Sequence, residues 1–388
     1  MKKVVFFLLS LFFFLSNVYA EDFVISGNYV SLFNMNEDEE IYSKNADEKT
    51  SIASLTKIMT TIVAIENIDN LNDIVTIKET DFEGTNGYSK AGFSVGDKVT
   101  FMDLLYGIIL PSGADAVNAV VNNTLGYDDF IKSMNSLAKK LNMKNTSFSN
   151  PVGKDDEKNY STSNDLSKLL KYALMNKTFK DVFTTKTYTT SNKIKLESTV
   201  NSYKNILNTD EIIGAKSGFT KNAGRCLASI TTLNGVDYLL VVINSSTTNP
   251  YNAVKDTLTI YDYYNTNYGY QNILNDDTFI KEIPVKLSKE DKYKITGNEE
   301  INKYLKNDTK VRYEYEGLEE IAFNTEKGRK LGVVRIYDGD RLLATSDVVL
   351  ENNIEYYPIV YFVIILLVVL VLLFIKKLTK KKHRRRRR

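Results

Sequence analysis

Ile52-Ala53-Ser54-Leu55-Thr56-Lys57-Ile58-Met59-Thr60 places a serine and a lysine one helical turn apart, and the run continues to Glu66. Apolar residues at Ile52, Leu55, Ile58, Met59, Ile62, Val63 and Ile65 leave almost no polar face, which predicts a buried helix over 52–66. Ser54 falls in its first turn, where unpaired N–H groups and the positive dipole end favour an anion. Lys57 lies on the same face one turn on. Apolar neighbours disfavour its charged form, which makes it a usable base near neutral pH. The only histidine is His383, in a basic tail, so the body of the chain has no Ser-His-Asp or Cys-His arrangement. A hydrolase built on a serine here must use another base, and S-x-x-K supplies one. The same spacing at Ser136-Leu137-Ala138-Lys139 reads as an amphipathic surface helix.

Two further stretches accompany the first. Pro111-Ser112-Gly113-Ala114-Asp115 follows an apolar run from Leu104 to Leu110 and opens a helical pattern over 116–125. By itself a Ser-Gly pair there is an N-cap. Gly214-Ala215-Lys216-Ser217-Gly218-Phe219-Thr220 runs into Cys226–Thr231, then Asn234-Gly235, then Val236–Ile243. Asn-Gly between two β-rich runs signals a hairpin. Lys216 and Ser217 then sit at the edge of an antiparallel sheet, and Gly218 lets a ligand backbone come close.

The ends of the chain predict its location. Residues 1–20 read as a secretory leader: Lys2 and Lys3, an apolar run from Val4 to Leu15, and Val18-Tyr19-Ala20 as cleavage site. Pro358–Ile375 is 18 uncharged residues, enough for one bilayer crossing. From Lys376 onward ten of thirteen residues are Lys or Arg, which holds residues 376–388 in the cytoplasm and the rest outside. Without the leader and tail, 38 basic side chains face 48 acidic ones, which argues against nucleic acid as partner. The lone cysteine, Cys226, has no partner for an internal disulfide. The exported part, roughly 335 residues, is ample for two domains held by their cores. Texture changes near Asp276: helical and strand patterns before it, short alternating stretches after it (Ile283–Leu287, Lys310–Tyr315, Leu331–Tyr337, Leu342–Leu350). Residues 21–276 are expected to form the first domain and 277–350 a small β-sandwich.

In this order, S-x-x-K, Ser112-Gly113-Ala114 and Lys216-Ser217-Gly218 resemble the signature set of the active-site-serine penicillin-recognising enzymes. The flanks of all three, with Ser149-Asn150-Pro151-Val152-Gly153 and Tyr160-Ser161-Thr162-Ser163-Asn164-Asp165, look like the low-molecular-mass D-alanyl-D-alanine carboxypeptidases. Glu326–Gly332 is similar to that family's C-terminal module, so the resemblance spans roughly residues 24–350. It implies a mixed α/β penicillin-binding fold, an antiparallel sheet flanked by helices. It implies Ser54 as nucleophile on a terminal D-Ala-D-Ala bond of peptidoglycan stem peptides, Lys57 as its base, and Ser112 as proton relay. Backbone N–H groups of Ser54 and Phe219 form the oxyanion hole, and Lys216, Ser217, Gly218 and Thr220 hold the substrate. It further implies β-lactams as covalent inhibitors, and no cofactor or metal.

Two positions depart from the family pattern. Ala114 stands where an asparagine is usual, with Asp115 and Asn118 as the nearby substitutes. No arginine follows the second hairpin strand, which leaves Lys216 as the expected partner of the substrate carboxylate and Lys255 as the next candidate. Two alternatives accompany this reading. One is a catalytically weakened penicillin- or peptidoglycan-binding protein. The other is a serine β-lactamase, for which Glu157 is the sole glutamate between 127 and 195.

Overall fold

The computed structural model describes residues 23–385; the leader expected at 1–20 and the last three residues of the tail lie outside the described residues. The chain begins with a hairpin, β1 (Tyr29–Asn34) and β2 (Glu39–Lys44). A 3-10 turn at Ala53–Leu55 leads into α1 (Thr56–Glu66), which is buried from Thr56 to Ala64. A short ladder, β3 (Ile74–Thr76) with β4 (Lys98–Thr100), precedes α2 (Phe101–Ile109). A capping box starts that helix: the Asp103 N–H donates to Thr100 Oγ1 at 3.1 Å and the Thr100 N–H to the Asp103 carboxylate at 2.9 Å. Then come α3 (Ala114–Asn122), α4 (Tyr127–Lys140), α5 (Ser163–Leu174) and α6 (Lys177–Thr184). The small ladder β5 (Thr187–Thr189) with β6 (Lys195–Glu197) leads to three longer strands, β7 (Gly214–Thr220), β8 (Gly224–Leu233) and β9 (Val236–Ser245), and to α7 (Asn252–Asn267). The second S-x-x-K lies on α4, where Ser136 and Lys139 are exposed while Met134, Leu137 and Ala138 turn inward.

Asn234 and Gly235 both take left-handed φ, 49° and 79°, as a two-residue hairpin turn requires. They join β8 and β9 within an antiparallel sheet of order β2-β1-β9-β8-β7. β9 runs through the middle and is buried on both faces, which explains its unbroken apolar run. One face receives α1 and α5; the other receives α7, whose Tyr261 hydroxyl meets Ser229 Oγ at 2.9 Å. Register sorts the residues of β7. Lys216 and Gly218 pair with Ala228 and Cys226, facing α1, while Ser217 and Phe219 pair with Leu227 and Arg225 on the opposite face.

The described chain divides between Asn265 and Thr266 into two compact units. The second unit contains β10 (Tyr268–Leu274), β11 (Phe279–Pro284), β12 (Lys292–Thr296), β13 (Ile301–Lys306), β14 (Val311–Gly317), β15 (Lys330–Asp338) and β16 (Arg341–Val349). They form the pairs β10-β13 and β11-β12 and the meander β14-β15-β16, all antiparallel, around a core that includes Leu274, Ile295, Val334 and Ile336. The expected strand at 283–287 is displaced: β11 ends at Pro284, and Leu287 takes a left-handed φ of 60°. Beyond this unit's strands, α8 (Pro358–Arg385) contains one stretch, Pro358–Thr379, long and apolar enough to cross a membrane, with its apolar side chains exposed.

Leu239 on β9 is fully buried in the cluster that α1 and α5 share with the sheet. Leu239→Ala is expected to cost about 2–5 kcal/mol, read as the shift in urea midpoint multiplied by the slope. Val95→Ala, at a side chain 61% exposed, should stay within about 0.5 kcal/mol of wild type.

Candidate active site

Ser54 sits in the 3-10 turn just before α1, and Lys57 in the first turn of that helix. Lys57 Nζ lies 3.0 Å from Ser54 Oγ. Lys57 is only 1% exposed, so burial is the dominant influence on its amine and lowers its pKa to about 7, against a smaller opposing pull from Asp115. A second contact fixes its direction: Nζ donates to the carbonyl of Val152 at 2.7 Å. That carbonyl is itself held in a built loop. Asn150 Oδ1 accepts from the N–H groups of Gly153 and Lys154 at 2.8 and 2.9 Å, and Thr60 Oγ1 donates to Pro151 O at 2.6 Å. Gly153 has a φ of 89°, and a Cβ there would lie 2.0 Å from the carbonyl oxygen of Ala53, so only glycine lets the loop reach the serine turn.

The backbone on both sides of the cleft is strained. Ala53 and Ser112 have φ values of 46° and 66°, a region costly for side-chain-bearing residues by about 1–3 kcal/mol each. Gly113 takes the N-cap position of α3, so the helix start accounts for the glycine of the Ser-Gly pair, while Ser112, one residue before it, lines the cleft. The substitutes considered for the missing asparagine are occupied elsewhere. Asp115 accepts from the Ala91 N–H at 2.7 Å and the Gly92 N–H at 3.3 Å. Asn118 donates to the carbonyls of Asp81 and Glu83, both at 3.0 Å. Ala114 is fully buried, and its N–H donates to Ser89 O at 2.8 Å.

β7 closes the other wall. A Cβ on Gly218 would come 3.0 Å from the Ser54 nitrogen, so glycine permits strand and serine turn to touch. Lys216 is wholly buried; its Nζ donates to Ser217 O at 2.7 Å, and burial and the nearby Lys57 hold its pKa well below the usual lysine value. Thr220 Oγ1 donates to the Asp155 carboxylate at 2.6 Å, tying the end of β7 to the loop that carries Val152. Ser54, Ser112, Ser217, Gly218 and Phe219 line one cavity of about 310 Å³; Lys57 and Lys216 lie behind its wall. Lys255 is exposed on α7 and does not line it, and neither does Glu157, which is exposed on a loop. Sequence reasoning passed over two contributors. Val152 acts through its carbonyl, which no side-chain motif announces; Arg225 lines the cavity from β8.

A family model described as D-alanyl-D-alanine carboxypeptidase, peptidase S11, matches residues 19–247. The D-alanyl-D-alanine carboxypeptidase DacF of Bacillus subtilis is 29% identical over 332 residues, 81% of this chain and 82% of that protein. A D-alanyl-D-alanine carboxypeptidase of a Streptomyces strain is 36% identical over 222 residues, 53% of this chain and 76% of that protein. Among solved structures, penicillin binding protein 5 from Haemophilus influenzae superimposes with a TM-score of 0.62 at 22% identity, over 86% of this chain and 98% of that one, a likeness of fold. A variant of a Streptomyces DD-transpeptidase gives 0.55 at 30% identity, over 62% and 98%. With a buried lysine against a serine, a partner serine and an edge strand in one cleft, and a family match across that whole region, the chain belongs to the peptidase S11 family of D-alanyl-D-alanine carboxypeptidases.

Proposed function

We propose that this serine-type D-alanyl-D-alanine carboxypeptidase removes the terminal D-alanine from peptidoglycan stem pentapeptides through an acyl-enzyme on Ser54. The observation that carries the assignment is the 3.0 Å approach of a desolvated Lys57 to Ser54, with β7 across the cleft. Neutral Lys57 takes the Ser54 proton as Oγ bonds to the carbonyl carbon of the penultimate D-alanine. The oxyanion is met by the N–H groups of Ser54 and Phe219, donors fixed before the charge develops. Collapse breaks the C–N bond, Ser112 passes a proton to the departing amine, and D-alanine leaves. Water then cleaves the ester and returns the serine. Ser217, Gly218 and Phe219 bind the peptide along the strand edge, with Lys216 behind them beside Lys57 and Thr220 tied to Asp155. A β-lactam enters the same path and stays as a long-lived ester, because the amine freed by ring opening remains tethered to the acyl group and does not depart as D-alanine does. The apolar helix α8 anchors the enzyme to the cytoplasmic membrane, with the basic tail on the cytoplasmic side and the catalytic domain outside.

Intact-mass analysis with penicillin is expected to show one adduct per chain, on the peptide containing Ser54. An adduct on Ser136, or none at saturating drug, overturns the assignment, and release within seconds points to a β-lactamase. Lys57→Ala should slow acylation by several orders of magnitude, while Lys139→Ala leaves it unchanged. The acylation rate of wild type should climb with pH through about 7, because Lys57 must be neutral to accept the proton and its amine is held near that value. A rate that is flat from pH 5 to 9 would remove Lys57 from the role of base.

A further inference from the structure

Lys216, the cation expected to meet the substrate carboxylate, turns toward α1 and Lys57, on the face of the sheet opposite Ser217 and Phe219. Among the described residues that line the cavity, Arg225 is the one charged side chain. It pairs with Phe219 across the β7-β8 ladder, and its guanidinium carbon lies 3.9 Å from the centre of the Phe219 ring. Such stacking fixes the plane of the guanidinium without using its hydrogen-bond donors. Those donors are not taken up by the protein. Nε is buried without an acceptor, and among the described residues Arg225 forms no ion pair. A buried donor left unpaired is costly, and an entering acceptor relieves that cost. The next pair on the same face of the ladder is Ser217 with Leu227, and Ser217 lines the cavity together with Arg225. The position of Arg225 comes from a local irregularity. The β8-β9 register shifts between Arg225 and Leu227, opposite Asn244 with its left-handed φ of 61°, and bulges of this kind re-aim a side chain beside a site.

We propose that Arg225 is the cation that binds the free C-terminal carboxylate of the substrate, with Ser217 on the same face, and that it makes the enzyme select chain ends. A guanidinium stays charged at every working pH and matches a carboxylate with two parallel N–H donors. A C-terminal amide, or a peptide continuing past the second D-alanine, offers no such anion. This inference rests on the acyl-enzyme reading above and assigns its selectivity to a residue outside the three motifs.

The test compares wild type, Arg225→Ala and Arg225→Lys on an N-acylated L-Lys-D-Ala-D-Ala with a free carboxylate and on its C-terminal amide, reading D-alanine and D-alaninamide release. Arg225→Ala should lower kcat/KM on the free acid about 10- to 150-fold, the range expected for one charge-assisted contact, and change the amide less than about threefold. The preference for the acid should therefore collapse, and Arg225→Lys should restore part of it. Equal losses on both substrates would mean that Arg225 only supports Phe219, and would overturn the assignment. So would an unchanged preference in Arg225→Ala. Penicillin adducts separate the two readings: if wild type still labels on Ser54 while the preference is unchanged, only Arg225's role fails. No adduct on wild type would overturn the acyl-enzyme reading and this assignment with it.

Discussion

A lysine with nowhere to put its charge is the constraint around which the first unit is organised. Lys57 lies on a helix buried on nearly every side, so its amine meets a desolvation penalty that is offset in part by contacts with the hydroxyl of Ser54 and the carbonyl of Val152 and by the more distant Asp115. Keeping the lysine there requires the loop from Asn150 to Lys154 to be rigid, hence the side-chain bonds of Asn150 and Thr60 to its backbone. It also requires the serine turn to bend sharply, hence the left-handed Ala53 pressed against Gly153. A second buried lysine, Lys216, sits close enough to lower its own proton affinity further through repulsion by the first. Two adjacent buried amines favour having at least one neutral, the condition that proton abstraction needs.

Much of this was legible because it is local. Ser54 and Lys57 are neighbours by helical geometry alone, and the all-round apolar pattern of 52–66 already implied burial. The Asn234-Gly235 turn set the register of β8 against β9, which placed β7 at the sheet edge. What stayed hidden depends on contacts between distant segments. Val152 is 95 positions from Lys57 and contributes a backbone atom. Which face of β7 carries Lys216 depends on register, and a one-residue slip would have exchanged Lys216 with Ser217. Arg225 stands just before the β-rich run that opens at Cys226 and belongs to no motif; it lies at a bulge that the sequence does not mark.

The second unit shows the same limit. β15 and β16 carry clear alternation and a tight turn at Gly339 and Asp340, and both were readable. β10, β12 and β13 are short and dense in Lys, Asn and Tyr, so their inward positions are too few to produce a visible period. Their pairing is supplied by a core gathered from residues far apart in sequence, Leu274 with Leu305 and Ile295 with Val334 among them.

The open side of β7 carries a further consequence. A strand with unpaired N–H and C=O groups will accept any extended backbone, including that of another protein molecule. Here Gly214, at the start of the strand, is packed against Phe183 and Thr184 of α6, so a partner strand has no room there. The stretch left open, Lys216 to Thr220, backs onto the serine turn and ends at the tie between Thr220 and Asp155. Five residues walled at both ends admit a short peptide terminus but give little purchase to a long strand. The recess around the edge therefore also keeps the chain from pairing with copies of itself.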